Sequence, residues 1–146
     1  MAYKGKFMPK NASKYLGDVT KITYRSGWEL KFMMYLDGQP NVVGWSSEEI
    51  IVPYRSPMDN RIHRYFPDFL VRKKNPDGKI ECLIIEIKPA SQSKPPAPST
   101  KITKRYINEV HTWGINSSKW KAADEYCNDR GWKFVVLTEK ELGIKF

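Results

Sequence analysis

Tyr65-Phe66-Pro67-Asp68-Phe69-Leu70-Val71-Arg72 and, after a polar interval, Cys82-Leu83-Ile84-Ile85-Glu86-Ile87-Lys88 decide how the chain folds. Each is an apolar run of the length that a buried strand takes. Between them Asn75-Pro76-Asp77-Gly78 supplies turn chemistry, so the two runs are expected to pair as a hairpin. Alternate side chains of a strand share a face, which sends Leu83, Ile85 and Ile87 one way and Glu86 and Lys88 the other. An unpaired ion withdrawn from water costs several kcal/mol, on a scale of roughly 1 to 5 or more. Asp68, Glu86 and Lys88 nevertheless interrupt these runs, and closing the hairpin lays Asp68 beside Glu86. Two neighbouring carboxylates suit a hard cation such as Mg²⁺. A lysine next to them can orient a water or offset charge growing on a phosphate. The same residues also fit a surface hairpin whose charges face solvent; the apolar flanks argue against that.

Upstream, Ser26 is placed to cap a helix running to about Asp37, with Trp28, Phe32, Tyr35 and Leu36 as its buried stripe. Glu29 projects on the apolar side of that helix. It fits a capping box reaching back to the Ser26 amide, and it also fits an acidic ligand at the edge of the carboxylate site. Gly38-Gln39-Pro40 ends the helix, Asn41 to Trp45 is a short extended piece, and Ile50 to Tyr54 reads as a strand with Ile50 and Val52 on one face. A turn over 55–63 leads back into the Asp68 strand. Pro67 cannot donate a ladder hydrogen bond, so that strand is expected to be bulged or at a sheet edge.

Downstream, the segment 89–100 carries four prolines and reads as an extended connector. A helix from Lys101 to about Trp113 is expected to bury Ile102, Tyr106, Val110 and Trp113 and to offer Lys101, Lys104 and Arg105 on its other face. A second helix starts at Asn116-Ser117-Ser118, turns Trp120, Ala123 and Cys127 inward, and ends at Gly131. Phe134 to Leu137 is a strand, and Thr138 with Glu141 caps a last short helix. The order of elements predicts an α/β fold with a small mixed central sheet flanked by helices.

The 146 residues suffice for one domain, and 40% hydrophobic residues argue against disorder. A formal net charge of +9 points to a polyanionic partner, nucleic acid first. Residues 1–22, with Lys4, Lys6, Lys10, Lys14 and Lys21 among scattered aromatics, show no period. They read as a basic N-terminal arm that packs on the domain or follows a phosphate backbone, ahead of a single domain over 23–146. Cys82 and Cys127 lack metal-ligand spacing and are expected to be free thiols of a reducing compartment. No signal peptide or membrane span is visible, and the oligomeric state cannot be read.

Pro67-Asp68, Glu86 and Lys88 together resemble the PD-(D/E)xK nuclease superfamily, which implies a restriction-endonuclease-like α/β/α architecture. The resemblance narrows over five stretches: the opening through Tyr15, Lys21 to Glu29, Arg64 to Asp68, Ile85 to Pro89 and Asn116 to Ala123. Together they look like the head completion nucleases of myovirus-type tailed phages. That resemblance implies Glu29, Asp68, Glu86 and Lys88 as the catalytic set, with Asp68, Glu86, the Ile87 carbonyl and Glu29 around Mg²⁺, for which Mn²⁺ would substitute. Arg25, Arg61, Arg64, Lys101, Lys104, Arg105 and Lys119 are the candidate contacts to double-stranded DNA. The implied role is processing of packaged DNA ends, in the host cytoplasm or at the virion head, with portal or neck proteins as partners. The alternatives are another nuclease of the superfamily, acting in restriction, junction resolution or transposon-end cleavage, and a non-catalytic DNA-binding capsid-neck protein.

Overall fold

A computed structural model describes residues 4–142. Residues 1–3 of the expected basic arm, Tyr3 among them, and residues 143–146 of the expected domain lie outside the described residues.

The hairpin forms as its sequence dictates. Strand β6 (Phe69–Lys74) pairs antiparallel with β7 (Ile80–Ile87) in the register Phe69↔Ile85. Gly78, at φ +85°, donates to the Asn75 carbonyl at 2.9 Å, a backbone conformation that side chains disfavour. β3 (Val42–Ser47) lies antiparallel on the far side of β6, and β8 (Lys133–Leu137) lies parallel to β7, giving a four-stranded mixed sheet in the order β3-β6-β7-β8.

Two helices cover this sheet. Helix α1 (Gly27–Gly38) starts where expected, with Ser26 Oγ accepting from the Glu29 amide at 3.1 Å. Its Phe32, Met33 and Leu36 pack on Phe69, Val71, Ile85 and Ile87. Tyr35, expected in the buried stripe, is 51% exposed, and Met33 takes the inward position. On the other face, α2 (Lys104–Arg130) brings Ala123 and Cys127 onto two smaller clusters that include Leu70, Ile84, Val52 and Tyr65.

The expectation of two helices over 101–131 is corrected: α2 is one helix of 27 residues, capped by Thr103 and closed by Gly131 at φ +71°. Gly114 lies inside it, because glycine in a helix costs only about 1 kcal/mol and packing of the second half supplies more. The predicted buried face of its first half is also corrected. Ile102 is 71% exposed and precedes the helix, and Val110 is 42% exposed. Residues 101–112 are exposed apart from half-buried Tyr106, and Trp113 is half-buried, so periodicity there marks no core.

Pro67 is likewise not in an edge strand. β6 sits between β3 and β7, and the chain instead breaks at Phe66-Pro67-Asp68. Before the break, β5 (Ile62–Tyr65) pairs with β4 (Val52–Arg55) in a separate two-stranded hairpin resting on α2. The break satisfies the missing proline N–H by leaving the ladder altogether.

Residues 4–22 contain a short β1 (Gly5–Lys6) paired with β2 (Thr23–Tyr24) and two turns of 3₁₀ helix, where the sequence showed no period. Phe7, Tyr15 and Ile22 are buried against Trp45 in the α1-side core. Lys14 Nζ donates to the carbonyls of Leu36, Asp37 and Gln39, a cation set on the open carbonyls at the C-terminus of α1. The last short helix, α3 (Glu139–Leu142), follows Thr138, whose amide donates to the Glu141 carboxylate at 2.8 Å. Cys82 and Cys127 are free thiols. Among the described residues no helix is long and apolar enough to cross a membrane.

Candidate active site

Asp68 stands one residue before β6 and faces Glu86 by the hairpin's register. Its Oδ2 accepts from the Ile87 amide at 2.8 Å, which fixes the carboxylate across the strand gap. On its other side, the Asp68 carbonyl accepts from the Glu48 amide at 3.1 Å. The chain break that Pro67 imposes is therefore clamped between two neighbouring strands. Asp68 meets β7 because the ladder resumes beside it.

Glu86 is buried on the α2 face of β7, between the apolar alternation of Ile85 and Ile87. Tyr65 donates its hydroxyl to Glu86 Oε2 at 2.5 Å. Lys88 Nζ lies 3.9 Å from Glu86 Oε1. The lysine is held at the end of the strand by its amide, which donates to the Leu137 carbonyl at 2.9 Å.

Burial pushes the Asp68 carboxyl up to about 8, with the Glu86 charge adding to the shift; the Ile87 hydrogen bond and Lys88 act against it. Glu86 is also raised, again chiefly by burial, and is held down by Tyr65, Lys88 and Lys119. The site thus holds two carboxylates that cannot both shed their protons cheaply without an added cation. The donors are hard oxygens, which is the chemistry of a divalent ion such as Mg²⁺ rather than of a soft metal.

Glu29 sits half-buried on the first turn of α1. Its carboxyl is raised by burial and by Glu48, and it also repels Asp68. The capping reading is present in altered form: the carboxylate accepts from the Ser26 hydroxyl at 3.4 Å, and the Arg25 backbone and charge and that hydroxyl act against the rise. Among the described residues no three His, Cys, Asp or Glu side chains converge as a ready-made metal cage. Asp68 and Glu86 face each other across the hairpin, and Glu29 reaches Asp68 through its charge from α1.

The candidate DNA contacts separate. Lys119 lies inside the site, over the ring of Tyr65 at 5.6 Å and of Tyr54 at 5.8 Å. Lys104 and Arg105 begin α2, so fifteen residues of helix, about 22 Å, separate Lys104 from Lys119. Arg105 pairs with Glu109, and Lys101 lies exposed ahead of the helix. Arg61 and Arg64 are exposed on the β4–β5 hairpin, and Arg25 is ion-paired with Glu48.

Two residues escaped the sequence reading in their present roles. Tyr65 was counted only as part of an apolar run, and nothing in its spacing tells that its hydroxyl meets Glu86. Lys119 had a usable signal. With Asn116, Ala123 and Cys127 it falls at the three- and four-residue spacing of one helix face, and those three are buried.

A family model for the TnsA-like endonuclease N-terminal domain matches residues 39–139, the stretch that holds Asp68, Glu86, Lys88 and Lys119. The chain belongs to this family of endonucleases. The nuclease is also 43% identical to the head completion nuclease of Enterobacteria phage T4, over 99% of each chain. That second match includes the arm and α1, and so Glu29. Enzymes of this PD-(D/E)xK type use divalent metal ions, in keeping with the paired carboxylates.

Proposed function

We propose that the nuclease is a Mg²⁺-dependent endonuclease of double-stranded DNA with little sequence preference, and that it processes packaged DNA ends as phage heads are completed. The observation that carries the catalytic reading is the pairing of Asp68 with Glu86 across the hairpin, with Lys88 beside them. Asp68, Glu86 and the carbonyl of Ile87 would hold the ion. In an extended strand a residue's N–H and C=O point to the same side, so the carbonyl follows the amide toward Asp68. Bound there, Mg²⁺ would polarise the scissile phosphate and lower the pKa of a water.

The chain's own groups do the rest. Lys88 holds the attacking water and offsets charge gathering on the phosphate oxygens. Glu29, on the first turn of α1, would hold a water bound to the ion or help place a second ion. Attack at phosphorus breaks the bond to the 3′ oxygen, which leaves as a hydroxyl, so the products carry 5′-phosphate and 3′-hydroxyl ends. Arg61, Arg64, Lys101, Lys104 and Arg105 are exposed cations that can track a phosphate backbone without reading bases, which supports weak selectivity. The head-completion role is supported by the end-to-end likeness to the T4 protein; action in the host cytoplasm or at the virion head, alongside portal or neck proteins, follows from the same likeness.

Incubation of linear and circular duplex with Mg²⁺, beside Glu86→Gln and Lys88→Ala controls, tests this. Cleavage of both substrates, lowered on the order of 10²- to 10³-fold in both variants, is expected. Discrete fragments from the linear duplex would favour a restriction enzyme, and preference for a branched substrate a resolvase. Silence with every divalent metal would favour a DNA-binding capsid-neck protein.

A further inference from the structure

We infer that Tyr65 is a positioning residue that ties down one oxygen of Glu86, so that only the other is presented to the cation shared with Asp68. The inference rests on the metal-site reading above and adds a residue that the PD-(D/E)xK pattern does not contain. Tyr65 is 4% exposed, and its hydroxyl donates to Glu86 Oε2. Oε1 is the oxygen on the Lys88 side. A carboxylate free to turn can offer both oxygens to one ion; a carboxylate with one oxygen in a short charge-assisted bond offers one.

The tie comes from outside the hairpin that carries Asp68 and Glu86. Tyr65 belongs to β5, where it pairs with Val52, and its ring packs with Val52, Tyr54 and Ala123. Lys119 of α2 stands over the same ring. Position and rotation of the phenol are therefore set by the β4–β5 hairpin and α2, while Glu86 is set by the sheet. Where these two bodies meet, the Tyr65 hydroxyl donates directly to the carboxylate, and Lys119 adds its charge from α2.

This arrangement has a consequence for metal choice. Mg²⁺ requires near-octahedral geometry and takes carboxylates through single oxygens, whereas Ca²⁺ accepts bidentate carboxylates and looser cages. Removing the Tyr65 hydroxyl frees Glu86 to chelate, which harms Mg²⁺ more than Ca²⁺. Residues that orient metal ligands typically contribute about 10- to 100-fold in affinity or activity.

The test measures Mg²⁺ and Ca²⁺ binding by calorimetry for the full chain and for Tyr65→Phe, Glu86→Gln and the double variant. Tyr65→Phe should weaken Mg²⁺ about 10- to 100-fold and Ca²⁺ distinctly less. The double variant should bind no more weakly than Glu86→Gln alone. In cleavage, kcat should fall while KM for DNA holds. Mg²⁺ affinity that Glu86→Gln abolishes and Tyr65→Phe leaves unchanged overturns the positioning role alone. Affinity that Glu86→Gln leaves unchanged overturns the metal-site reading, and this inference with it. Should Tyr65→Phe not fold, the wild-type chain labelled at tyrosine Cζ answers the question. Mg²⁺ should shift one tyrosine resonance that stays still in Glu86→Gln, and no such resonance overturns the role.

Discussion

The two faces of the central sheet are built differently. The α1 face is a buried aromatic cluster in which Phe7, Tyr15, Phe32, Trp45 and Phe69 touch edge to face or at a tilt, with the arm sealing it. The α2 face divides its apolar residues between two smaller clusters and carries Glu86, Tyr65 and Lys119 among them. Alternation along one strand makes this possible: Ile85 and Ile87 commit to the first face and leave Glu86 to the second. A single strand thus serves stability and chemistry on opposite sides, and the burial that raises the two carboxyls comes from the same packing that holds the sheet.

If the division is real, the faces should fail in different ways. Phe69→Ala removes a fully buried ring from the aromatic cluster and should cost about 3 to 5 kcal/mol, a large part of the 5 to 15 kcal/mol typical of a domain. Urea unfolding should show the loss, with cleavage falling only as the folded fraction falls. Glu86→Gln should do the reverse: a cleavage rate lowered on the order of 10² to 10³-fold at a midpoint no lower than the parent's. A Glu86→Gln chain that unfolds as readily as Phe69→Ala would mean that the carboxylate is structural and the division false.

A pH series sharpens the contrast. The unfolded chain releases the Asp68 proton near 3.8, whereas the folded chain keeps it up to about 8. Over that interval the folded state binds more protons than the unfolded, so metal-free stability should decline as pH rises from about 4 through 8. Melting temperature measured from pH 5 to 9 without metal should fall, Asp68→Asn should flatten the slope, and Mg²⁺ should raise the melting point most at the alkaline end. A profile that is level in the parent and in Asp68→Asn would show that the α2 side carries no such stress.

The legibility of each part follows from the range of the interactions that set it. The hairpin, the face taken by Glu86 and Lys88, and the α1 cap at Ser26 are written in neighbouring residues, through alternation, turn chemistry and capping. Asp68 beside Glu86 follows from one hairpin register. Tyr65 on Glu86 requires three elements to meet, and nothing local encodes it. The burial of Phe7 and Tyr15 was hidden for a similar reason, because an arm with irregular spacing gains its place from the α1 C-terminus and Trp45 rather than from a period of its own. Tyr35 was misplaced because an aromatic at helical spacing can lie at the stripe's border.

Gly114 offers the finest test, since it sits where α2 passes from its exposed first turns to the half that bears Lys119. It falls between the two helices expected from the sequence, one ending near Trp113 and one starting at Asn116, yet the helix runs through. A methyl group at this position would meet Pro57 Cγ at 3.7 Å, an ordinary contact, and no other heavy atom within 4 Å. Gly114→Ala should therefore gain the difference in helix propensity, about 0.5 to 1 kcal/mol, or roughly 2 to 4 °C in melting temperature. Cleavage should be unchanged, because Lys119 keeps its place over Tyr65. A lower melting point would mean that the helix needs flexibility at this turn, where Ser117 Oγ donates to the Gly114 carbonyl at 3.2 Å. Serine bonding back to its own helix favours a bend, and a bend at Gly114 would make the two halves of α2 separate bodies, only one of them belonging to the charged face.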